Sequence, residues 1–189
     1  MQTGGGGSST DTSVLIDMIE VNNVRRVIIP KSITKLKGHF YNDAYWLKDV
    51  IFHENFTSLE DNVFSSNGTM SKKWDNGGGS ITFLSYNPPK TSNYTFYNFR
   101  SRIFKKHDAS QGYYWGAYSN LDIHDLASMT YDSSTYTVTA SGRDNLELYV
   151  DASLINSSTY TFTPGTEDSS HVITVKSVDP SLGVLDEVS

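Results

Sequence analysis

The chain has 189 residues, with 15 Lys and Arg against 21 Asp and Glu, 12 Tyr, 9 Phe and no Cys. That length holds one domain or two small ones. A net charge of −6 argues against a nucleic-acid footprint, which needs a basic face, and the missing Cys exclude disulfides, thiolate metal sites and cysteine nucleophiles.

Residues 1–13 are rich in Gly, Ser and Thr and read as a flexible arm, either a disordered tail or a segment that orders on docking. They have neither the charged nor the apolar region of a secretion signal. No later run approaches the roughly 18 apolar residues of a membrane span. The apolar stretch Val14 to Val21 is expected to cap the open end of a repeat domain that begins near Val24.

The repeat is written in apolar residues. Val27-Ile28-Ile29-Pro30, with Ile33, Leu36 and Phe40-Tyr41, returns as Val50-Ile51-Phe52-His53, with Phe56, Leu59 and Val63-Phe64, 23 residues later. A looser third copy has Ile81-Thr82-Phe83, Pro88-Pro89 and Tyr94-Thr95-Phe96. A period in the low twenties is that of one turn of a leucine-rich solenoid. The β-branched triplets are the expected strands. Ile33 with Leu36, and Phe56 with Leu59, should point inward from a less regular return segment.

Residues 65–80 form a Gly/Ser-rich insertion with turn signals at Asn67-Gly68 and Asn76-Gly77. Trp74 between them either anchors the loop or is an exposed contact. Asp75-Asn76-Gly77 lacks the remaining ligands of a calcium loop. A last strand is expected at Ile103-Phe104. Tyr113, Tyr114, Trp115 and Tyr118 form the densest aromatic cluster, and with Leu121 to Met129 they are either a cap on the last repeat or a stacking platform for a sugar.

From Tyr131 the pattern becomes alternating. Asp132 to Thr135 reads as a linker. Strands are expected at Tyr136 to Ala140, Leu146 to Val150, Tyr160 to Phe162 and His171 to Val175, which argues a small sandwich. Residues after Pro180 read as a loose tail or a docking strand. The expected organisation is an arm over 1–13, a capped repeat domain over 14–130, a sandwich over 131–180 and a tail over 181–189.

The repeat words Val-Ile-Ile-Pro-Lys-Ser-Ile-Thr-Lys-Leu (27 to 36), Leu-Glu-Asp-Asn-Val-Phe (59 to 64) and Ile-Thr-Phe-Leu-Ser-Tyr-Asn-Pro-Pro (81 to 89) resemble the BspA-like leucine-rich repeats. That family occurs on the surfaces of gut and oral bacteria and in phages that infect them. The resemblance covers roughly residues 24–128. It departs from the pattern in its lack of Cys, in bulky aromatics where Ala is usual, and in the insertion. The later strands are similar to immunoglobulin-like or PEGA-like modules. Together these imply a mainly β fold, a short leucine-rich-repeat solenoid followed by a small immunoglobulin-like sandwich, used for binding or display.

Nothing in the chain spells catalysis. His39, His53, His107, His124 and His171 form no H-x-H or H-x-x-x-H pair, and no nucleophile elbow, phosphate loop or dinucleotide motif occurs. Asp43, Asp49, Glu54, Glu60 and Asp61 fall in repeat turns, where solvation explains them. The expectation is a non-enzymatic protein without cofactor or metal. A phage virion protein, such as a head fibre, capsid decoration or tail accessory protein, fits best, and a bacterial surface adhesin or glycan-binding module is the alternative. Expected partners are other virion proteins, through the N-terminal arm or the C-terminal module, and a host surface glycan or protein. Neither nucleic acid nor membrane is expected, and a homo-oligomer is compatible.

Overall fold

A computed structural model describes residues 13–15, 25–37, 48–60, 79–91, 95, 101–107, 121–165 and 170–189. Among these residues there are strands and turns and no helix. The architecture is all-β, with two parallel sheets followed by a separate antiparallel region.

In the first part the described strands alternate between the two parallel sheets until the last two, which both belong to the second. Sheet 1 contains β1 (Ser13–Leu15), β3 (Lys35–Lys37), β5 (Ser58–Glu60) and β7 (Lys90–Thr91). Sheet 2 contains β2 (Arg26–Ile28), β4 (Asp49–Phe52), β6 (Ser80–Phe83), β8 (Arg102–Lys105) and β9 (Ile123–Asp125). The 23-residue repeat appears directly in the register, with Val27 beside Val50 and Leu36 beside Leu59. The insertion lengthens the next step, so that Val50 pairs with Ile81 and Leu59 with Thr91. Ile29 N–H donates to the Ile51 carbonyl at 2.9 Å, and Leu84 N–H to that of Phe52 at 2.9 Å. Ile29 and Phe52 therefore occupy equivalent places on adjacent rungs.

Between the sheets lies the first core. Val50, Phe52, Ile81, Phe83 and Ile103 from sheet 2 meet Leu36 and Leu59 from sheet 1, all buried. Phe52 stacks on Phe83 with centroids 4.9 Å apart and tilts against Phe56 at 4.4 Å. A repeated tight turn sets the inward residues: Ile33 N–H donates to the Pro30 carbonyl at 2.9 Å, and Phe56 N–H to the His53 carbonyl at 3.0 Å.

Several expectations change here. The return segment is not irregular, since β3, β5 and β7 form a second sheet of their own. Of the stretch expected to cap the open end, Val14-Leu15 pairs with β3 at the edge of sheet 1, and residues 16–21 lie outside the described residues. Ile103-Phe104 is not the last strand, because β9 adds a further rung with Ile123 beside Ile103. The β9 segment Ile-His-Asp lacks a β-branched triplet, which hides it in the sequence pattern.

The antiparallel region begins at Ala127. Sheet 3 has the order β10 (Ala127–Asp132), β11 (Thr137–Gly142), β14 (Thr159–Thr161). Sheet 4 has the order β13 (Ser153–Ile155), β12 (Leu146–Val150), β15 (Ile173–Asp179), β16 (Gly183–Val188). Ala127, Val138 and Ala140 of sheet 3 share a core with Leu148 and Val175 of sheet 4. The expected linker at 132–135 is instead part of a hairpin, with Asp132 pairing Thr137. The residues read as a loose tail or a docking strand form β16, paired along β15 with a bulge at Ser177/Val178, and its Leu185 is buried.

Candidate interaction surfaces

The surface that joins the two parts explains why the repeat triplets do not alternate. Val27, Val50 and Ile81 face the first core, whereas Ile28, Ile51 and Phe104 point to the opposite side of sheet 2. There they meet Leu84, Leu126, Leu182 and Leu185 in a separate cluster. A parallel strand buried on both faces must be apolar at every position. The continuous triplets were therefore a signal, available in the sequence, that something covers the outer face.

Beside this apolar joint sits a quartet of charges. Asp49 Oδ2 lies 2.7 Å from Arg143 Nη2 and 3.1 Å from Arg26 Nε, and Asp179 Oδ2 lies 2.5 Å from Arg26 Nη2 and 3.4 Å from Arg143 Nη1. Ser80 Oγ donates to Asp49 Oδ1 at 3.3 Å, and the backbone N–H groups of Ser181 and Leu182 donate to Asp179 Oδ1 at 2.9 and 3.2 Å. Burial works to raise the Asp179 carboxyl, but the Arg26 hydrogen bond and charge and the two backbone donors hold it below its ordinary value. Burial raises Asp49 despite its two arginines. Asp49 is thus a structural ion at the joint and not the solvated turn residue expected.

A second polar chain runs from β8 to β16. Lys105 Nζ is hydrogen-bonded to Asp125 Oδ1, His107 Nδ1 lies 2.8 Å from Asp125 Oδ2, and His107 N–H donates to Asp186 Oδ2 at 2.6 Å. Burial raises the Asp186 carboxyl, opposed by the backbone donor of His107. Burial also acts on Asp125, but the hydrogen bonds from Lys105 and His107 outweigh it and lower that carboxyl. His124 Nε2 lies 2.7 Å from Asp122 Oδ1.

Among the described residues, concavities of two sizes open on the antiparallel region. The larger, about 670 Å³, is lined by Met129, Tyr131, Val138, Phe162, His171 and Val172 among others. Tyr131 lies two residues beyond Met129 on the side of β10 that carries buried Ala127, yet it is 57% exposed, and Val172 is 62% exposed. The inner face of β10 therefore outruns its cover. His171 tilts against Phe162 with centroids 4.9 Å apart, and its Nδ1 lies 2.6 Å from Asp151 Oδ2. The smaller, about 470 Å³, lies on the outer face of sheet 4 around Tyr149, Lys176 and Glu187.

The aromatic candidates Trp74, Tyr113, Tyr114, Trp115 and Tyr118 lie outside the described residues. Among the described residues no group of three or more His, Asp or Glu side chains is placed to hold a metal ion. The groove at Tyr131 is not legible in the sequence because its lining comes from β10, β11, the residue after β14 and the entry to β15, far apart along the chain. Searches of protein families, curated proteins and solved structures returned no match.

Proposed function

We propose that this chain is a non-enzymatic structural protein of a phage virion, a head fibre, capsid decoration or tail accessory protein, that displays a binding surface. In this reading the parallel part is a short BspA-like leucine-rich solenoid and the antiparallel part an immunoglobulin-like sandwich. The observation that supports it is the stacking of residues 23 apart into continuous apolar columns, locked by the Arg26–Asp49–Arg143–Asp179 quartet to the region beside it. Such a body uses its buried groups to hold layers together and leaves sheet faces free to be touched. The test is mass spectrometry and imaging of purified particles. The expected result is a fixed copy number per particle with the chain at the surface, and its recovery with a bacterial envelope instead would overturn the reading.

The groove around Tyr131 favours a second reading, a glycan-binding module of a gut bacterium, since exposed aromatic rings offer an apolar face with a polar edge. A glycan array with a Tyr131→Ala control addresses it. Binding by the parent chain that the variant loses would support this role, and no binding above background would remove it.

A further inference from the structure

Charge is unevenly placed along the chain. Residues 25–107, which hold β2 to β8, contain 13 Lys and Arg against 6 Asp and Glu, whereas residues 127–189 contain 2 against 9. Contacts at the joint account for part of this, through Arg26, Asp49, Arg143 and Asp179. They do not account for Lys35, Lys37 and Lys90.

Those lysines are exposed on sheet 1. In β3, Lys35 and Lys37 flank buried Leu36, whose side chain enters the first core, so both lysines face outward. The register puts Lys35, Ser58 and Lys90 in one row, with Lys35 and Lys90 about 10 Å apart on strands two places from one another. Like charges within about a Debye length repel. The register partner of Lys37 is Glu60, the one acidic residue in these rows.

The acidic counterpart is the outer face of sheet 4. Glu147, Asp151 and Glu187 lie there, and Lys176, the cation among them, is held by Glu187 at 3.1 Å and sits 5.2 Å above the Tyr149 ring. The two faces cannot meet within one molecule, because the first core, sheet 2 and the apolar joint lie between them. A second copy of the chain carries the complementary surface that each face lacks in its own molecule.

We propose that the lysine face of sheet 1 docks against the acidic outer face of sheet 4 of a second copy of this chain, joining copies head to tail. The contact is heterologous, so a joined pair keeps one unused face of each kind and the assembly closes into a ring or grows. Opposite charge sets both orientation and encounter rate, and salt weakens it. The inference stands apart from which particle or surface the chain belongs to.

Sedimentation velocity on the full chain tests it, over a wide concentration range at about 0.02 M and about 0.5 M NaCl. The expected result is a mass above the 21.1 kDa of one chain at low salt that falls to the single-chain value at high salt. Two variants are then compared, Lys35→Glu/Lys37→Glu/Lys90→Glu and Glu147→Lys/Glu187→Lys. Each alone should stay a single chain, because its two faces then carry the same sign, and an equimolar mixture should associate again, because each face of one variant meets a face of opposite charge on the other. Circular dichroism verifies folding, and the milder Lys35→Gln/Lys37→Gln/Lys90→Gln variant, expected to weaken association, serves if charge reversal unfolds the protein. A wild type that remains a single chain at low salt overturns the proposal, as does association that neither variant reduces, or a lysine face that binds polyglutamate or heparin but not the chain itself.

Discussion

Single positions carry measurable consequences. The hairpin from β12 to β13 turns through Asp151 and Ala152, both with positive φ, 49° and 63°, and Val150 pairs Ser153 across it. This two-residue turn demands left-handed backbone at both places. Ala152→Gly should stabilise the protein by about 1 kcal/mol, read as a higher urea midpoint. Gly142 has the opposite need: at φ 150° a Cβ there would overlap the Leu126 carbonyl oxygen, which already accepts the Arg143 N–H at 3.1 Å. Gly142→Ala should lower the midpoint. The pH dependence comes from the carboxyls at the joint. Asp125 and Asp179 are lowered from 3.8, so their contribution is present above that value and lost as pH falls through their folded values. Asp186 and Asp49 are raised, so theirs is present below 3.8 and lost as pH rises through the folded values. Asp186→Asn keeps an acceptor for His107 N–H and removes one raised group. Its stability relative to wild type should therefore increase as pH rises from acid toward neutral, which urea denaturation at a series of pH values measures.

At the scale of elements, sheet 2 is the layer on which everything else rests, because it is covered on both faces. Thr82 stands in its outer row between Ile51 and Phe104, and its Oγ1 is buried without a hydrogen-bond partner among the described residues. Thr82→Val keeps the shape and removes the stranded hydroxyl, and should stabilise by about 1 kcal/mol. On the other face Phe52→Ala should cost about 3–5 kcal/mol, since it empties the stack between Phe56 and Phe83. Arg143 is 12% exposed, and its partners Asp49 and Asp179 are 18% and 3% exposed. Arg143→Ala should cost about 3 kcal/mol by leaving both carboxylates undercompensated. Thermal or urea unfolding reads all three. These elements also show what was legible in the sequence. The repeat at 23 residues gave the register of Val27 with Val50 and of Leu36 with Leu59 correctly, because identical spacing of apolar residues admits few other stackings. β9 was not legible, since Ile123-His124-Asp125 carries one apolar residue and its partnership comes from the rung below. For β16 the sequence leaves a loose tail and a docking strand both open, since Asp186-Glu187 breaks the alternation and only the fold shows that Asp186 is buried.

For the whole molecule, the joint decides whether the two parts behave as one. Its apolar residues come from both, Ile28 and Ile51 on one side and Leu182 and Leu185 on the other, and two sets of ionic contacts flank them. The sequence offered the outer-facing triplets as evidence of a cover, but not what the cover was, because Arg26 and Asp179 are 153 residues apart. A shared core and shared ion pairs couple the opening of one part to that of the other. Native-state hydrogen exchange across a denaturant series tests this most directly, through the amides of Ile29 and Leu84 in the rungs, Leu126 at the joint and Val178 in β15. Ile29, Leu84, Leu126 and Val178 donate to carbonyls of Ile51, Phe52, Lys105 and Asn145, respectively. The expected result is that all four exchange through one global opening with the same denaturant dependence. Protection of Val178 with early, independent exchange of Ile29 and Leu84, or the reverse, would contradict a single body built on stacked rungs.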